Sequence, residues 1–177
     1  CLTFKINRMN DMFSVRRSQD GDQVLKSLNG QFQSVIPITD ATYNVEDHQS
    51  GSIFTLDRAA GIAVTLPAAE VGLVYEFYIT STFTGTCTIT ADSSADTYTG
   101  MITKIDKDEK GSVVALNEDI DTTCFDIPAA SDYILTLDAD TDGRFLGGHL
   151  RFVCVSDSKW SISGNLFGDG TGSHMFS

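Results

Sequence analysis

The sequence predicts an all-β protein: an antiparallel sandwich, jelly roll or barrel of about ten short strands, preceded by an N-terminal arm. Two observations predict this fold. Short runs of alternating apolar and polar residues are separated by polar turn residues, and no strand–helix–strand alternation occurs. Thr, Ser, Gly and Asp are abundant whereas Pro occurs only three times, as expected for many strands joined by turns. A chain of 177 residues suits one domain with an arm.

Residues 1–33 differ from the rest and are predicted to form the arm or a small appended element. A turn signal at Asp20-Gly21-Asp22 precedes a predicted short helix at 22–28, which Asn29-Gly30 would end. The apolar side chains of this stretch are too many for a linker. They need a surface to cover, either on the same body or on a neighbour.

The β body is predicted to span residues 34–164. Its strongest strand is 73–80, where Tyr75, Phe77 and Ile79 alternate with Glu76, Tyr78 and Thr80. The predicted strands in chain order are 41–46, 52–56, 62–66, 73–80, 87–91, a turn leading into a strand at 98–102, 112–116, 123–127, 133–137, 149–155 and 160–164. Residues 165–177 are predicted to be a Gly-rich C-terminal tail, mobile unless docked.

Charge separates the arm from the body. The whole chain carries −12. Residues 1–30 hold five cations and three anions, which gives +2 and leaves −14 for the rest. A body this acidic repels phosphates and anionic lipid, so neither nucleic acid nor a membrane is expected as a partner. The basic arm either meets an acidic partner surface or has an ordinary composition, and both interpretations stay open.

The four cysteines, Cys1, Cys87, Cys124 and Cys154, show no C-x-x-C spacing. Those in strand-like contexts are predicted to be buried free thiols rather than a disulfide framework. Trp160 is predicted to lie in the core or at its edge, with a sugar-stacking platform as the alternative.

One short run resembles half of a calcium loop. Asp138, Asp140 and Asp142 alternate before Gly143, which is how carboxylates converge on a hard cation. The twelfth position of such a loop should be Glu, but it is His149 here, and the flanks have strand periodicity. A turn whose Asp side chains bond the local backbone is therefore preferred, no metal site is favoured, and no cofactor is expected.

No catalytic site is predicted, and the chain is not expected to be an enzyme. It holds three histidines, His48, His149 and His174, and no zinc-protease, nucleophile-elbow or phosphate-loop motif accompanies them. A Ser/His/Asp triad built from distant loops would leave no local signature, so a hydrolase with dispersed residues is kept as a third hypothesis.

Several runs between about residues 50 and 165 resemble the head decoration, or cement, proteins of tailed bacteriophages, especially phages of marine bacteria. The runs are Val64-Thr65-Leu66-Pro67-Ala68-Ala69, Gly72-Leu73, Tyr75-Glu76-Phe77, Ser94-Ala95-Asp96, Gly147-Gly148-His149-Leu150 and Trp160-Ser161-Ile162-Ser163-Gly164. The arm at 1–33 is not part of the resemblance.

The resemblance implies a virion protein on the outer capsid surface, often a homotrimer, which ties capsomers together. Its partners would be the major capsid protein and neighbouring copies of itself. For the arm, the hypothesis is docking on the capsid or on a neighbour through Arg8, Met12, Phe13, Arg16 and Arg17. The alternative function is a tail-fibre or receptor-binding module that recognises host surface glycan.

Overall fold

The structure, a computed structural model, describes residues 33–106, 123–138, 143–168 and 174–177. The arm, with its predicted helix and docking residues, lies outside the described residues apart from Gln33, as does the predicted strand at 112–116. Contacts divide the chain between Gln33 and Ser34. The strands are β1 Val35–Ile38, β2 Thr42–Asn44, β3 Ile53–Leu56, β4 Ala63–Thr65, β5 Val74–Ile79, β6 Cys87–Thr90, β7 Thr97–Asp106, β8 Thr123–Asp126, β9 Ile134–Leu137, β10 His149–Ser156 and β11 Lys159–Gly168.

The all-β prediction is confirmed. In the described residues, the only helix is a single 3₁₀ turn at Asp47–Gln49. The strands form two sheets. Sheet A has seven strands in the order β1-β3-β5-β10-β11-β7-β8, and sheet B has four in the order β2-β4-β6-β9.

The prediction of antiparallel pairing was wrong, because both sheets are mixed. The first six strands alternate between the sheets, and each of the four strands β3 to β6 pairs in parallel with the strand two before it. β11 also pairs in parallel with β7, whereas β10 is antiparallel to both of its neighbours. A parallel pair needs a crossover of a dozen or more residues. Here a strand in the opposite sheet provides that crossover, and the period-2 pattern does not reveal it.

The two sheets share one hydrophobic core. On sheet A, Phe54 lies beside Phe77 in register, and on sheet B, Val64 lies beside Ile89. Tyr43 of sheet B contacts Phe54 of sheet A, with ring centroids 5.9 Å apart. Register partners on neighbouring parallel strands are therefore stacked in the core, where their large side chains exclude water.

Two glycines allow the segments that precede β4 and β6 to approach closely. Gly61 precedes β4 with a φ of 93°, in the left-handed region that favours glycine. A Cβ placed there would overlap the backbone of Thr86, which precedes β6. Gly85 meets the backbone of Ala60 in the same way. The contact aligns the starts of β4 and β6 so that they pair in register.

Strand β1 is an edge strand of sheet A, and a proline reduces the hydrogen-bonding capacity of its outer edge. Ser34 and Ile38 carbonyls accept hydrogen bonds from Ile53 and Asp57, so the alternate residues Val35 and Pro37 direct their backbone groups outward. Pro37 has no N–H, and its missing donor therefore falls on the edge that has no partner strand in the described part of the chain. This is where proline is tolerated in a sheet, and it hinders strand addition.

Strand β11 continues four residues beyond its predicted end at 164, since it pairs with β7 up to Gly168 and Asp106. Part of the predicted tail is therefore a strand. Residues 174–177, called here the 174–177 segment, lie along the outer edge of β9, and Phe176 bridges Leu135. The side chains of Met175 and Phe176 are buried, so this part of the tail is docked.

Candidate functional site

The outer face of sheet A carries a strip of charged and aromatic side chains on its central strands. The sheet A strip consists of Glu76 and Tyr78 on β5 and His149 and Arg151 on β10. These residues are register partners, Tyr78 with His149 and Glu76 with Arg151. They alternate with buried Phe77 and Leu150, and this alternation directs all four side chains to the outside.

The side chains of the strip contact one another. The Tyr78 and His149 rings lie 4.6 Å apart between centroids. Arg151 Nε lies 3.6 Å from Glu76 Oε1, and His149 Nε2 lies 3.8 Å from Glu76 Oε2. His149 Nε2 is buried and has no hydrogen-bond partner among the described residues. The strip thus combines one carboxylate, one guanidinium and an exposed ring, a composition that suits recognition of a partner.

Exposed apolar side chains extend this face on both sides of the strip. Val35 on β1 is 58% exposed, Met101 on β7 is 45% exposed and Val155 on β10 is 50% exposed. Aromatic, Met and Arg side chains are enriched in protein interfaces. The outer face of sheet A is therefore a candidate interaction surface.

A second group, the carboxylate–imidazole cluster, joins three segments: Asp126 at the end of β8, Asp132 before β9, and His174. His174 Nδ1 lies 2.6 Å from Asp126 Oδ1, and His174 Nε2 lies 3.2 Å from Asp132 Oδ2. Both carboxylates are buried, whereas the imidazole is half exposed. Sequence analysis did not bring these residues together, because 48 and 42 positions separate His174 from its partners and no spacing marks the contact.

The cluster favours the protonated form of His174. Burial alone lowers the pKa of His174, but the hydrogen bond to Asp132 and the charge and hydrogen bond of Asp126 raise it above its ordinary value. With both ring nitrogens facing carboxylates, the imidazole cannot act as a general base toward a third group. The geometry of the cluster therefore suits a structural function, in which His174 is held against the segments that carry Asp126 and Asp132.

The outer face of sheet B is rich in threonine. Its polar positions are Thr42, Asn44, Thr65, Thr88, Thr90 and Thr136. Register aligns them in two rows. One row holds Thr42, Thr88 and Thr136, with Ala63 on β4 between the first two. The other holds Asn44, Thr65 and Thr90 and ends at Ile134 on β9. Hydroxyl groups donate and accept hydrogen bonds, so such rows can bind a polar, hydroxyl-bearing ligand.

The predicted calcium turn is only partly described. Asp138 forms a bridge with Gly143 and accepts a hydrogen bond from Thr86 Oγ1 at 3.4 Å, while Asp140 and Asp142 lie outside the described residues. His149, at the twelfth loop position, belongs to the sheet A strip. Within the ranges that the structure covers, no cluster of three or more His, Cys, Asp or Glu side chains is arranged to bind a metal.

Two cysteines and the tryptophan lie where the sequence predicts. Cys87 and Cys154 are buried free thiols, and burial raises the pKa of Cys87 to about 12. Trp160 is fully buried against Tyr75, with ring centroids 5.8 Å apart, so the sugar-stacking alternative was wrong. Cys1 and the side chain of Cys124 lie outside the described part of the chain.

No family model, no curated protein and no solved structure matches this chain. The described residues contain no helix with the length and hydropathy that a bilayer crossing requires.

Proposed function

We propose that this chain is a virion structural protein, a capsid decoration or cement protein whose two sheets pack as a sandwich. It would bind the outer capsid surface through contacts with the major capsid protein and with neighbouring copies in a homotrimer. The single observation that carries the proposal is the outer face of sheet A, which joins the charged strip to exposed Met101 and Val35. The resemblance over residues 50–165 supports the same function.

The size of this face suits the task. Seven strands about 4.8 Å apart span roughly 30 Å, and the longer strands cover a similar distance along their length. Such a face has about the 800 Å² that one partner contributes to a stable protein interface. A cement protein also gains from symmetry, since weak contacts repeated in every copy act together.

The distribution of net charge supports a location on the outer surface of the capsid. The rest of the chain, at −14 against +2 for residues 1–30, repels packaged DNA and remains dispersed before assembly. The basic arm is then the part that meets an acidic neighbour, through Arg8, Arg16 and Arg17 with Met12 and Phe13. This docking function of the arm belongs to the proposal.

Co-sedimentation with purified capsids of the phage that encodes the chain tests the proposal. Wild type is compared with Arg16→Glu/Arg17→Glu and with the matched control Lys107→Glu/Lys110→Glu, which changes net charge equally outside the arm. We expect wild type and control to bind and the arm variant to lose at least tenfold in affinity. Failure of wild type to bind capsids overturns the function, whereas binding by the arm variant overturns only the function of the arm.

The threonine rows of sheet B favour a second candidate, a tail-fibre or receptor-binding module for host surface glycan. Sugar hydroxyls could bond these rows in register. Binding to a polysaccharide from the host surface, lost in Thr65→Val/Thr90→Val and accompanied by no capsid binding, would replace the cement function with this one.

A further inference from the structure

The 174–177 segment acts as an added strand of sheet B. Thr136 N–H donates to Met175 O at 2.8 Å, and the Ser177 and Ile134 backbones exchange hydrogen bonds of 2.9 and 3.0 Å. These bonds satisfy the outer edge of β9, which would otherwise present unpaired backbone groups. The segment is therefore the cover of a strand edge.

Burial anchors the same segment. Met175 is 1% exposed and Phe176 is 3% exposed, and the Phe176 ring lies 6.2 Å from that of Tyr98 on β7. Met175 N–H donates to Asp126 Oδ2 at 2.6 Å, so the carboxylate of Asp126 contacts both His174 and the backbone after it. Detachment of the segment would expose an apolar pocket and leave Asp126 with neither partner.

The chemistry of the cluster requires a charged imidazole. An ionised carboxylate only accepts hydrogen bonds, and a neutral imidazole has a single N–H. His174 faces a carboxylate oxygen at each nitrogen, so only the imidazolium satisfies both contacts. A neutral ring would set one nitrogen lone pair against Asp126 or Asp132.

In the described part of the chain, the charged groups near His174 come from three elements. Asp126 approaches from β8 and Asp132 from the connection before β9, while β9 itself contributes no charged side chain to this contact. Strand β7 carries the buried Lys104, two residues beyond Ile102, the register partner of Asp126. The groups that raise the pKa of His174 are Asp132 and Asp126.

We propose that protonated His174 is a pH-sensitive clasp, which holds the 174–177 segment on β9 and releases it when the imidazole loses its proton. The bound state has the higher proton affinity, so the clasp is fully stable below the ordinary His pKa. Its stability is lost as pH rises through the pKa of the bound state. Between the two pKa values the released population rises tenfold per pH unit, and it is level on either side.

Methyl NMR on the full chain tests the clasp, with ¹³C-methyl methionine and a neutral gadolinium chelate that broadens exposed methyl groups. The Met175 methyl is buried in the clasped state, and the exposed Met101 methyl is an internal control. Spectra from about pH 5 to about pH 9 bracket the ordinary titration of histidine. The His174 imidazole shift, read in the same samples, gives its pKa.

We expect broadening of Met175 to increase with pH and to follow the His174 titration, while that of Met101 stays constant. Asp132→Asn keeps an acceptor but removes a charge, so it should shift the transition to lower pH. His174→Gln should abolish the pH dependence, and the fluorescence of buried Trp160 verifies that each variant is folded. A Met175 methyl that stays equally protected through the His174 titration, or a pH dependence that survives in His174→Gln, overturns the proposal.

Discussion

Phe54 and Phe77 stack across the parallel ladder of β3 and β5, with ring centroids 5.2 Å apart and ring planes inclined by 23°. The two residues are register partners and both are fully buried. Phe77 also meets Phe152 of β10 edge to face at 5.5 Å. Phe54 and Phe77 therefore link the parallel strands β3 and β5 to the antiparallel strand β10 within the core.

Replacement of Phe77 by alanine should be the most costly single truncation in this region. We expect Phe77→Ala to lower the free energy of unfolding by about 3–5 kcal/mol, because it removes a large buried ring and leaves a cavity. Val35→Ala, at an exposed position, should change it by about 0.5 kcal/mol or less. Urea unfolding followed by Trp160 fluorescence measures both. Equal losses in the two variants would contradict this account of the core.

Substitutions at two glycines distinguish the stability cost of a left-handed backbone conformation from the cost of a steric overlap. Gly61 and Gly72 both have positive φ, but only Gly61 would place a Cβ against backbone atoms. Gly72→Ala should cost about 1–2 kcal/mol for the left-handed conformation alone. Gly61→Ala adds an overlap with Thr86 and should cost about 1–3 kcal/mol more. Thermal unfolding of the two variants provides the comparison, and a larger loss in Gly72→Ala would be inconsistent with the contact between turns.

Pro37 should limit association through the edge of β1. Pro37→Val restores an N–H donor on that open edge beside exposed Val35, so we expect concentration-dependent association beyond that of wild type. Light scattering over a dilution series measures it. Val35→Lys in the same chain should reverse the effect, because an edge lysine opposes strand pairing. A Pro37→Val protein with the same mass as wild type at every concentration would exclude edge pairing at β1.

The buried thiol of Cys87 should weaken the fold at alkaline pH. Burial raises the pKa of Cys87 from about 9 to about 12, so the folded state retains the proton that the unfolded state loses. This contribution is fully present below about pH 9 and declines by roughly 1.4 kcal/mol per pH unit between the two values. The stability advantage of wild type over Cys87→Ala should therefore shrink over this range. A constant difference in urea unfolding would show that the thiol ionises equally in both states.

The sequence predicted strand positions better than strand partners. The strongest alternation, at Tyr75, Phe77 and Ile79, correctly located β5, and the predicted strands at 149–155 and 160–164 correspond to β10 and β11. Strand β1 was missed because Pro37 interrupts its pattern. Alternation reports which side chains are buried, and this is the same in parallel and antiparallel pairs, so the mixed sheets left no signal.

The candidate site was less predictable than the fold. Cys87, Cys154 and Trp160 were correctly assigned to buried positions, because strand context alone determines which face they occupy. His174 could not be paired with Asp126 and Asp132, since three separate segments create that contact. The docking residues of the arm, among them Arg16 and Arg17, lie outside the described residues and stay predictions.

Strand β11 lies between β10 and β7 in sheet A, yet it is synthesised after both. Until Lys159–Gly168 takes its place, sheet A can form only as two separate fragments, β1-β3-β5-β10 and β7-β8. Each fragment then has a bare inner edge, and the core lacks Trp160, Ile162 and Leu166. A chain that has not yet inserted this strand presents both edges to other chains, so the strand order makes insertion of β11 the folding step most exposed to misassembly.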